Sequence, residues 1–228
     1  MFLFSNIFIC IIVVFTTIFL WYNNYEVDNM KSKVDDGYIH NTFLYKLLKP
    51  LLWILVKVLY NPKIIGKENI SDDGCIIASN HIHAFDPVII MYSTKRVVHY
   101  LAKIELYKGI LKYFFLSYGT IPVDRSKHNP KALELAISYL KKGEVIGIFP
   151  EGTRNKTEEI LLPFKFGAVK MASQSNKKII PCAISGKYKL FRRGIVVKYG
   201  EALDIGGMEL EEANLLLRNK IIELLEEK

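Results

Sequence analysis

The stretch Cys75–Tyr92 constrains the fold more than any other part of this sequence. It begins with the apolar run Cys75–Ala78, which is typical of a buried strand, and it ends with Val88–Tyr92, which predicts the first turns of a helix. The connection between them holds His81 and Asp86, five positions apart. Because ligands of α/β proteins bind where strands end, the stretch predicts an α/β fold with a titratable pair at the edge of its sheet.

Strand and helix patterns alternate along residues 61–228, which we interpret as one domain with a mixed, mostly parallel sheet flanked by helices. The further predicted strands are Ile64–Gly66, Val97–Ala102, a short one within Gly119–Arg125, Glu144–Phe149, Ile179–Ile184 and Ile195–Tyr199. The further predicted helices are Glu105–Tyr118, a segment from Asn129-Pro130 to Gly143, Lys165–Gln174 and Leu210–Glu227.

Residues 1–22 are almost continuously apolar, and no charged side chain appears before Glu26. As a helix they would span about 33 Å, enough for a hydrocarbon core of about 30 Å, and we expect a transmembrane anchor. The alternative is a cleaved signal peptide, but neither a basic n-region nor a small-residue cleavage site is visible. The first positive charges, Lys31 and Lys33, follow the span and predict a cell-membrane protein with its body on the cytoplasmic side.

Residues 23–41 are polar and of mixed charge, and we interpret them as a linker. Residues 42–60 form a second apolar segment that contains Lys46, Lys49 and Lys57. On a helical wheel these lysines fall within about 80° of one another, which favours an amphipathic helix in the membrane interface. The alternative is a core helix with a solvated lysine face.

The chain carries a net charge of +8. The first 30 residues contain two acidic and no basic side chains, so the remainder carries +10. This excess predicts anionic partners, such as a membrane surface, nucleic acid or a phosphorylated ligand. The three cysteines, Cys10, Cys75 and Cys182, show no metal-ligand spacing, which favours a reducing compartment.

His81 and Asp86 have the chemistry of a general base and the carboxylate that orients it. Asp86 precedes Pro87, so it is also a well-placed helix N-cap, and both roles can hold together. The chain contains no Gly-x-Ser-x-Gly motif, and Cys75 and Cys182 lie in predicted buried strands. The nucleophile would therefore be a hydroxyl of the substrate.

Two further predicted strands also end in charged groups. Glu151 and Arg154 follow one strand, and Arg125 follows another. The backbone N–H groups of Gly152 and Thr153, with the planar guanidinium groups of Arg125 and Arg154, suit a phosphate.

Four ordered motifs closely resemble those of the 1-acyl-glycerol-3-phosphate acyltransferase family. They are Asn80-His81-x-x-x-x-Asp86, Gly119-x-Ile121-Pro122-Val123-Asp124-Arg125, Phe149-Pro150-Glu151-Gly152-Thr153-Arg154 and Ile180-Pro181-Cys182-Ala183. Lys103-Ile104-Glu105-Leu106 and Lys165-Phe166-Gly167-Ala168 also look like family signatures.

The resemblance implies a glycerol-3-phosphate acyltransferase-like fold and transfer of a fatty acyl group from acyl-CoA or acyl carrier protein to a lysophospholipid hydroxyl. It implies His81 as base and Asp86 as its partner. It implies Arg125 and Gly152–Arg154 as the acceptor phosphate site, with Glu151 supporting that loop. We place Lys103 with the substrate-binding residues because of its signature, and we expect no cofactor.

One position departs from the family pattern, because His83 stands where the family often has serine. The resulting His81-x-His83-x-x-Asp86 invites comparison with binuclear metallo-hydrolases, but no histidine follows His128 and a two-metal site would be short of ligands. We expect no metal.

The hypothesis is a membrane-anchored enzyme of phospholipid biosynthesis that makes phosphatidic acid from lysophosphatidic acid, with membrane lipids and the thioester donor as partners. The alternatives are an acyltransferase for another lysophospholipid or for glycerol-3-phosphate, and a catalytically silent lipid-phosphate-binding protein. Nucleic-acid binding would explain the charge but not the apolar N-terminus.

Overall fold

The computed structural model describes residues 43–107, 115, 119–124 and 130–227. The predicted anchor at 1–22, the linker at 23–41 and Arg125 lie outside the described residues. Within the described part of the chain, no helix combines the length and the apolar character needed to cross a bilayer.

The described residues form seven strands and five α-helices, joined in places by short 3-10 helices at Lys67–Asn69 and Ile104–Tyr107. The strands are β1 (Lys63–Ile65), β2 (Cys75–Ser79), β3 (Val98–Lys103), β4 (Ile121–Val123), β5 (Val145–Ile148), β6 (Ile179–Gly186) and β7 (Ile195–Tyr199). The helices are α1 (Phe43–Leu59), α2 (Asp86–Ser93), α3 (Pro130–Lys141), α4 (Gly167–Ser175) and α5 (Leu210–Glu226).

The seven strands make one sheet in the order β1-β7-β6-β2-β5-β3-β4. All neighbours run parallel except β6 and β7, which are antiparallel. Strand β2 lies near the centre, where Ile77 is in register with Gly147 on one side and with Ile180 on the other. The predicted mixed, mostly parallel sheet with flanking helices is confirmed.

The two faces of the sheet carry separate cores. Side chains alternate along a strand, so Ile76 and Ala78 pack on the side of α3, α4 and α5, whereas Cys75 and Ile77 pack on the side of α1 and α2. Every residue of β2 is buried. This two-sided burial explains why β2 reads as an unbroken apolar run rather than an alternating one.

Helix α1 confirms the predicted helix at residues 42–60 and continues through Pro50. Its lysines do not share one environment. Lys49 donates a hydrogen bond from Nζ to the carbonyl of Arg96 at 2.8 Å, and burial lowers the pKa of its amine to about 8. Lys46 and Lys57 are exposed, so the predicted basic stripe is divided between the protein body and the solvent.

The segment predicted as a helix from Glu105 to Tyr118 begins differently. Its first described residues, Ile104–Tyr107, form a 3-10 turn directly after β3. Most of the remainder of that prediction lies outside the described residues.

Candidate active site

Five strand ends meet at one edge of the sheet, because β3, β4, β5 and β6 all run parallel to β2, directly or through a neighbour. The loops that follow β2, β5 and β6 bring together His81, Asp86, Glu151 and Tyr188. The expectation that strand ends collect the titratable groups is met for the loops after β2 and β5.

His81 and Asp86 are directly bonded. The His81 Nδ1 atom lies 2.8 Å from Asp86 Oδ2, and the carboxylate is fully buried. Because a carboxylate can only accept, Nδ1 carries the hydrogen in the neutral form of the ring, and Nε2 keeps its lone pair. The neutral imidazole is therefore held in the tautomer that can take a proton from a substrate hydroxyl.

Four donors surround the Asp86 carboxylate. Besides His81, the backbone N–H groups of Ile82 and His83 each donate to Oδ2 at 2.7 Å. The Tyr188 hydroxyl donates to Oδ1 at 2.5 Å. A buried carboxylate needs such donors because they replace the hydrogen bonds that water would make to it.

The predicted N-cap role of Asp86 is wrong. Helix α2 begins at Asp86 itself, its N-cap residue is Phe85, and no side chain caps its end. The reason is that the Asp86 carboxylate turns back toward the preceding loop, where three donors converge on it, instead of toward the N–H groups of its own helix.

Tyr188 is a site residue that the sequence reading missed. It lies two residues beyond the end of β6, and burial together with the nearby Asp86 carboxylate raises the pKa of its phenol, so it stays a donor. The sequence signal for Tyr188 is its position just after strand β6, which runs parallel to β2. We had predicted that strand to end at Ile184, which separated Tyr188 from the sheet edge.

Glu151 holds the backbone around His81. Its Oε1 accepts from the His81 N–H at 2.8 Å and its Oε2 accepts from the Leu162 N–H at 2.9 Å. The His81 carbonyl in turn accepts from the Asn155 N–H at 2.7 Å. Burial raises the pKa of the Glu151 carboxyl, although both backbone N–H groups and His81 oppose that rise. With both oxygens bonded to backbone N–H groups, Glu151 holds the loop that carries His81.

A cavity of about 420 Å³ opens beside His81. The imidazole stacks on Phe149 with the ring centres 4.0 Å apart, and both rings line the cavity. Most of the remaining lining is aliphatic, including Leu101, Ile148 and Met171. The described lining contains no serine, threonine or cysteine, so it offers no hydroxyl or thiol as an acylated nucleophile.

Cationic groups gather at the same cavity. Lys165 and Lys170 line it, together with Gly167 at the N-terminus of α4, whose first turn holds no acidic residue. A helix N-terminus carries partial positive charge, so the three features outnumber the one acidic residue of the described lining, Asp124, and together favour an anion. In the sequence Lys165 belongs to the signature Lys165-Phe166-Gly167-Ala168, but it is not among the predicted site residues.

Gly152 makes room for Lys165. Its φ of +71° lies in the left-handed region, and a Cβ there would stand 2.8 Å from Lys165 Cε. The Gly152 N–H closes a turn onto the Phe149 carbonyl at 2.9 Å. The backbone conformation therefore favours glycine at this position, and a Cβ would also displace the end of the Lys165 side chain.

Comparisons with known proteins agree with this geometry. The sequence model of the family described as Acyltransferase matches residues 61–185. The chain is 32% identical over 161 residues to the 1-acyl-sn-glycerol-3-phosphate acyltransferase of Bacillus subtilis, which covers 66% of this chain and 77% of that protein. It is 31% identical over 195 residues to the enzyme of the same name from Borreliella burgdorferi, covering 78% and 76%. The chain belongs to the 1-acyl-sn-glycerol-3-phosphate acyltransferase family.

A solved structure shares the fold. The crystal structure of the 1-acyl-sn-glycerophosphate acyltransferase of Thermotoga maritima matches with a TM-score of 0.64 at 19% identity, covering 94% of this chain and 97% of that one. The family predicted from the four motifs is confirmed, and the protein is an acyltransferase.

The predicted phosphate ligands of this acyltransferase lie in different places. Thr153 and Arg154 are exposed and do not line the cavity. Lys103, at the end of β3, pairs with Glu105 at 3.0 Å, and both side chains are about half exposed. Arg125 lies outside the described residues, but Asp124, which precedes it, lines the cavity.

The cysteines of the described domain are inert. Cys75 and Cys182 are fully buried, as predicted, and burial raises the pKa of the first thiol to about 11 and that of the second to about 12. Thiols with such values are protonated at neutral pH and are poor nucleophiles.

His83 has an aromatic environment. Its ring stacks on Tyr188 at 4.0 Å and on Phe85 at 5.6 Å between ring centres, and its Nδ1 accepts from the Phe85 N–H at 3.2 Å. His83 is thus part of the packing around Tyr188. Within the described residues, no cluster of three or more His, Cys, Asp or Glu side chains is arranged to hold a metal ion.

Proposed function

We propose that this acyltransferase transfers a fatty acyl group from an acyl thioester, acyl-CoA or acyl carrier protein, to the sn-2 hydroxyl of 1-acyl-glycerol-3-phosphate. The products are phosphatidic acid and the free thiol. The observation that carries the proposal is the His81–Asp86 pair facing a cavity with an apolar wall and a cationic rim. The names of the relatives from Bacillus subtilis and Borreliella burgdorferi support lysophosphatidic acid as the acceptor.

The proposed reaction has one chemical cycle. The Nε2 atom of His81 takes the proton of the sn-2 hydroxyl as its oxygen attacks the thioester carbonyl, and Asp86 stabilises the imidazolium that forms. The tetrahedral intermediate then expels the thiolate, the new ester bond remains, and the imidazolium returns its proton to the sulfur. No acyl-enzyme forms, in keeping with a cavity lining that offers no hydroxyl or thiol.

The lining divides between the two chemical parts of the acceptor. Aliphatic side chains such as Leu101 and Met171 match an acyl chain, and Lys165 and Lys170 match the phosphate. Arg154 and Arg125 remain proposed phosphate ligands. Arg154 is exposed, and motion on binding can bring an exposed group to a ligand.

We further propose that residues 1–22 anchor the enzyme in the cell membrane with the catalytic domain on the cytoplasmic side. The net charge of +10 beyond residue 30 suits both an anionic membrane surface and an acidic thioester donor. Protease added to intact spheroplasts should leave the domain uncut and should cut it after lysis. Cutting before lysis would overturn this orientation.

The test of the reaction uses membranes that contain the full chain, with labelled acyl-CoA and labelled acyl carrier protein in parallel. Lysophosphatidic acid, lysophosphatidylcholine and glycerol-3-phosphate serve as separate acceptors. We expect labelled phosphatidic acid from the first acceptor, and His81→Ala should lower kcat by about 10²–10⁴-fold because the general base is lost. His83→Phe is the matched control, which keeps the aromatic stack and should lower kcat less than about threefold.

Two outcomes would contradict the proposal. Product from lysophosphatidylcholine or glycerol-3-phosphate alone would assign the enzyme to another acceptor. Equal turnover by the wild type and His81→Ala would remove His81 from the role of base. The donor that gives the higher kcat/KM identifies the thioester.

A further inference from the structure

The β6–β7 connection presents apolar side chains to the outside. We call Lys187–Gly194 the cationic loop, since four of its eight residues are basic and none is acidic. At its tip, Leu190 is 57% exposed and Phe191 is 73% exposed. Large apolar side chains at a loop tip cost free energy in water unless something covers them.

The loop is held in this shape by its backbone. The Lys187 N–H donates to the Gly194 carbonyl at 3.1 Å and closes the base of the loop. The Phe191 N–H donates to the Leu59 carbonyl at 2.6 Å, at the C-terminal end of α1, where carbonyls lack partners within the helix. Phe191 adopts a φ of +59°, which is uncommon for a bulky residue. The exposed tip is therefore fixed by specific backbone hydrogen bonds.

The tip adds to the exposed apolar side of α1. That helix exposes Trp53, Ile54, Leu55 and Val58 on the same side of the sheet. Tyr60, just after α1, packs against Tyr188 of the cationic loop, with ring centres 5.6 Å apart. The helix and the loop are thus packed together, and each exposes apolar side chains.

We propose that the cationic loop is a membrane-docking element that inserts Leu190 and Phe191 among the lipids of an anionic bilayer. The four basic side chains, Lys187, Lys189, Arg192 and Arg193, flank the apolar tip and are all exposed. Apolar side chains bracketed by Lys and Arg suit the boundary between acyl chains and anionic headgroups.

A second copy of the chain fits this surface poorly. A two-fold dimer would bring the same patch of each copy together, so four cations would face four cations with no acidic residue in the loop to pair with them. An anionic lipid surface pairs with the same charges. The charge of the loop therefore selects the bilayer over self-association.

This inference goes beyond the proposed function, although it bears on it. Tyr188 belongs to the cationic loop and also donates to Asp86, so a hydrogen bond connects the docked loop to the catalytic pair. Docking would hold the active-site edge against the surface from which a lysophospholipid comes.

The experiment places an environment-sensitive fluorophore on the loop of the full chain. In a Cys10→Ser background, Leu190→Cys is labelled and the protein is reconstituted into phosphatidylglycerol–phosphatidylcholine vesicles. Cys75 and Cys182 are buried, so the background protein should take up little label. The matched control is Leu215→Cys, which is 59% exposed on α5, on the opposite side of the sheet.

We expect lipid-attached spin labels to quench the fluorophore at position 190 several-fold more than at position 215. Acrylamide in the water should quench position 215 more than position 190. Lys189→Gln with Arg192→Gln should lower the lipid quenching at position 190, because the attraction to phosphatidylglycerol is reduced. Equal quenching patterns at the two positions would overturn the proposal.

Protection of position 190 from both quenchers would also overturn it, because a protein surface would then cover the loop. The quenching measurement needs no turnover, so it is independent of the proposed reaction. Leu190→Cys should retain acyl transfer in detergent micelles, which shows that the labelled protein is folded. Loss of phosphatidic acid synthesis in the wild type, with lipid quenching intact, would reject the reaction and leave the docking loop standing.

Discussion

At the scale of single residues, the site depends on how Asp86 is satisfied. Its Oδ2 takes three donors, from His81 and two backbone N–H groups, whereas Oδ1 takes the Tyr188 hydroxyl. No lysine or arginine is among these donors. Besides His81, only neutral groups donate to the carboxylate and fix its position.

The first prediction concerns Tyr188, which touches Asp86 and is expected to act by positioning it. Tyr188→Phe keeps the stack on His83 and removes only the hydroxyl. We expect kcat to fall about 3–10-fold, because a hydrogen bond to a charged group is lost, while KM for lysophosphatidic acid stays within about twofold. Steady-state kinetics on both parameters checks this split.

Tyr199→Phe is the matched control for that measurement. Its hydroxyl bonds Ser93 at the far end of α2, so the variant loses a buried hydrogen bond away from Asp86. It should lower the melting temperature with kcat unchanged. If Tyr188→Phe raised KM and left kcat unchanged, the positioning role would be wrong.

The second prediction separates two candidates for the acceptor phosphate. Lys165 lines the cavity beside Gly152, whereas Arg154 is exposed outside it. We expect Lys165→Met to raise KM for lysophosphatidic acid by about tenfold or more, since a charge-assisted contact is lost, and Arg154→Met to raise it by a smaller factor. The reverse order would make Arg154 the main phosphate ligand and require the loop to move on binding.

At the scale of elements, local patterns were sufficient for most of the fold. Strand β7 begins and ends where its alternating and apolar residues predicted, and Leu210–Glu226 matches the predicted closing helix within one residue. The antiparallel course of β7 was not predictable, because pairing partners far apart in the chain leave no local trace. For the same reason Tyr188, which reaches Asp86 across 102 positions, escaped notice.

The contact between His81 and Asp86 was predictable because the two residues are only five positions apart in the sequence. The failed N-cap assignment shows the limit of that reasoning. Asp86 before Pro87 is a sound local signal for a cap, yet three donors in the preceding loop offered the carboxylate more hydrogen bonds than the helix end did.

The third prediction concerns the loop after β5. Gly152→Ala adds a Cβ where φ is +71° and Lys165 Cε would be 2.8 Å away. We expect the free energy of unfolding to drop by about 1–2 kcal/mol and kcat/KM to fall at least tenfold, since the lysine must move. Gly207→Ala is the control, because its φ is +79° and no atom lies within 4 Å of its Cβ position. It should show a comparable stability loss with normal kcat/KM, and equal kinetic losses would discount the contact with Lys165.

At the scale of the whole molecule, the sheet divides the protein into two functional sides. On one side α3, α4 and α5 share a core, α3 and α4 line the cavity, and the N-terminal residue of α4 is part of that lining. On the other side α1, α2 and the cationic loop present exposed apolar groups. The carboxyl ends of the strands lie between these two sides. His81 lines the cavity on one side, and Tyr188 bonds the Asp86 carboxylate from the other side.

The last prediction concerns the pH dependence of stability through His99. This histidine is fully buried in β3, where Nδ1 lies 2.7 Å from the Gly119 carbonyl. Burial lowers the pKa of its imidazole below the ordinary 6.5, although Gly119 and Glu144 act in the opposite direction. Between the lowered pKa and about 6.5 the unfolded chain binds a proton that the folded chain rejects, so the free energy of unfolding falls as the pH drops.

His99 should therefore contribute a loss of up to about 1.4 kcal/mol per pH unit below pH 6.5, and no pH dependence above it. Melting of the full chain in detergent between pH 7.5 and 5.5 measures the slope, and His99→Gln supplies the comparison. Glutamine can still donate to Gly119 but does not titrate, so the variant should be less stable at pH 7.5 and show a shallower fall toward pH 5.5. His81, His83 and the carboxyls are present in both the wild type and His99→Gln. Equal slopes of stability against pH in the two proteins would therefore show that His99 does not carry the effect.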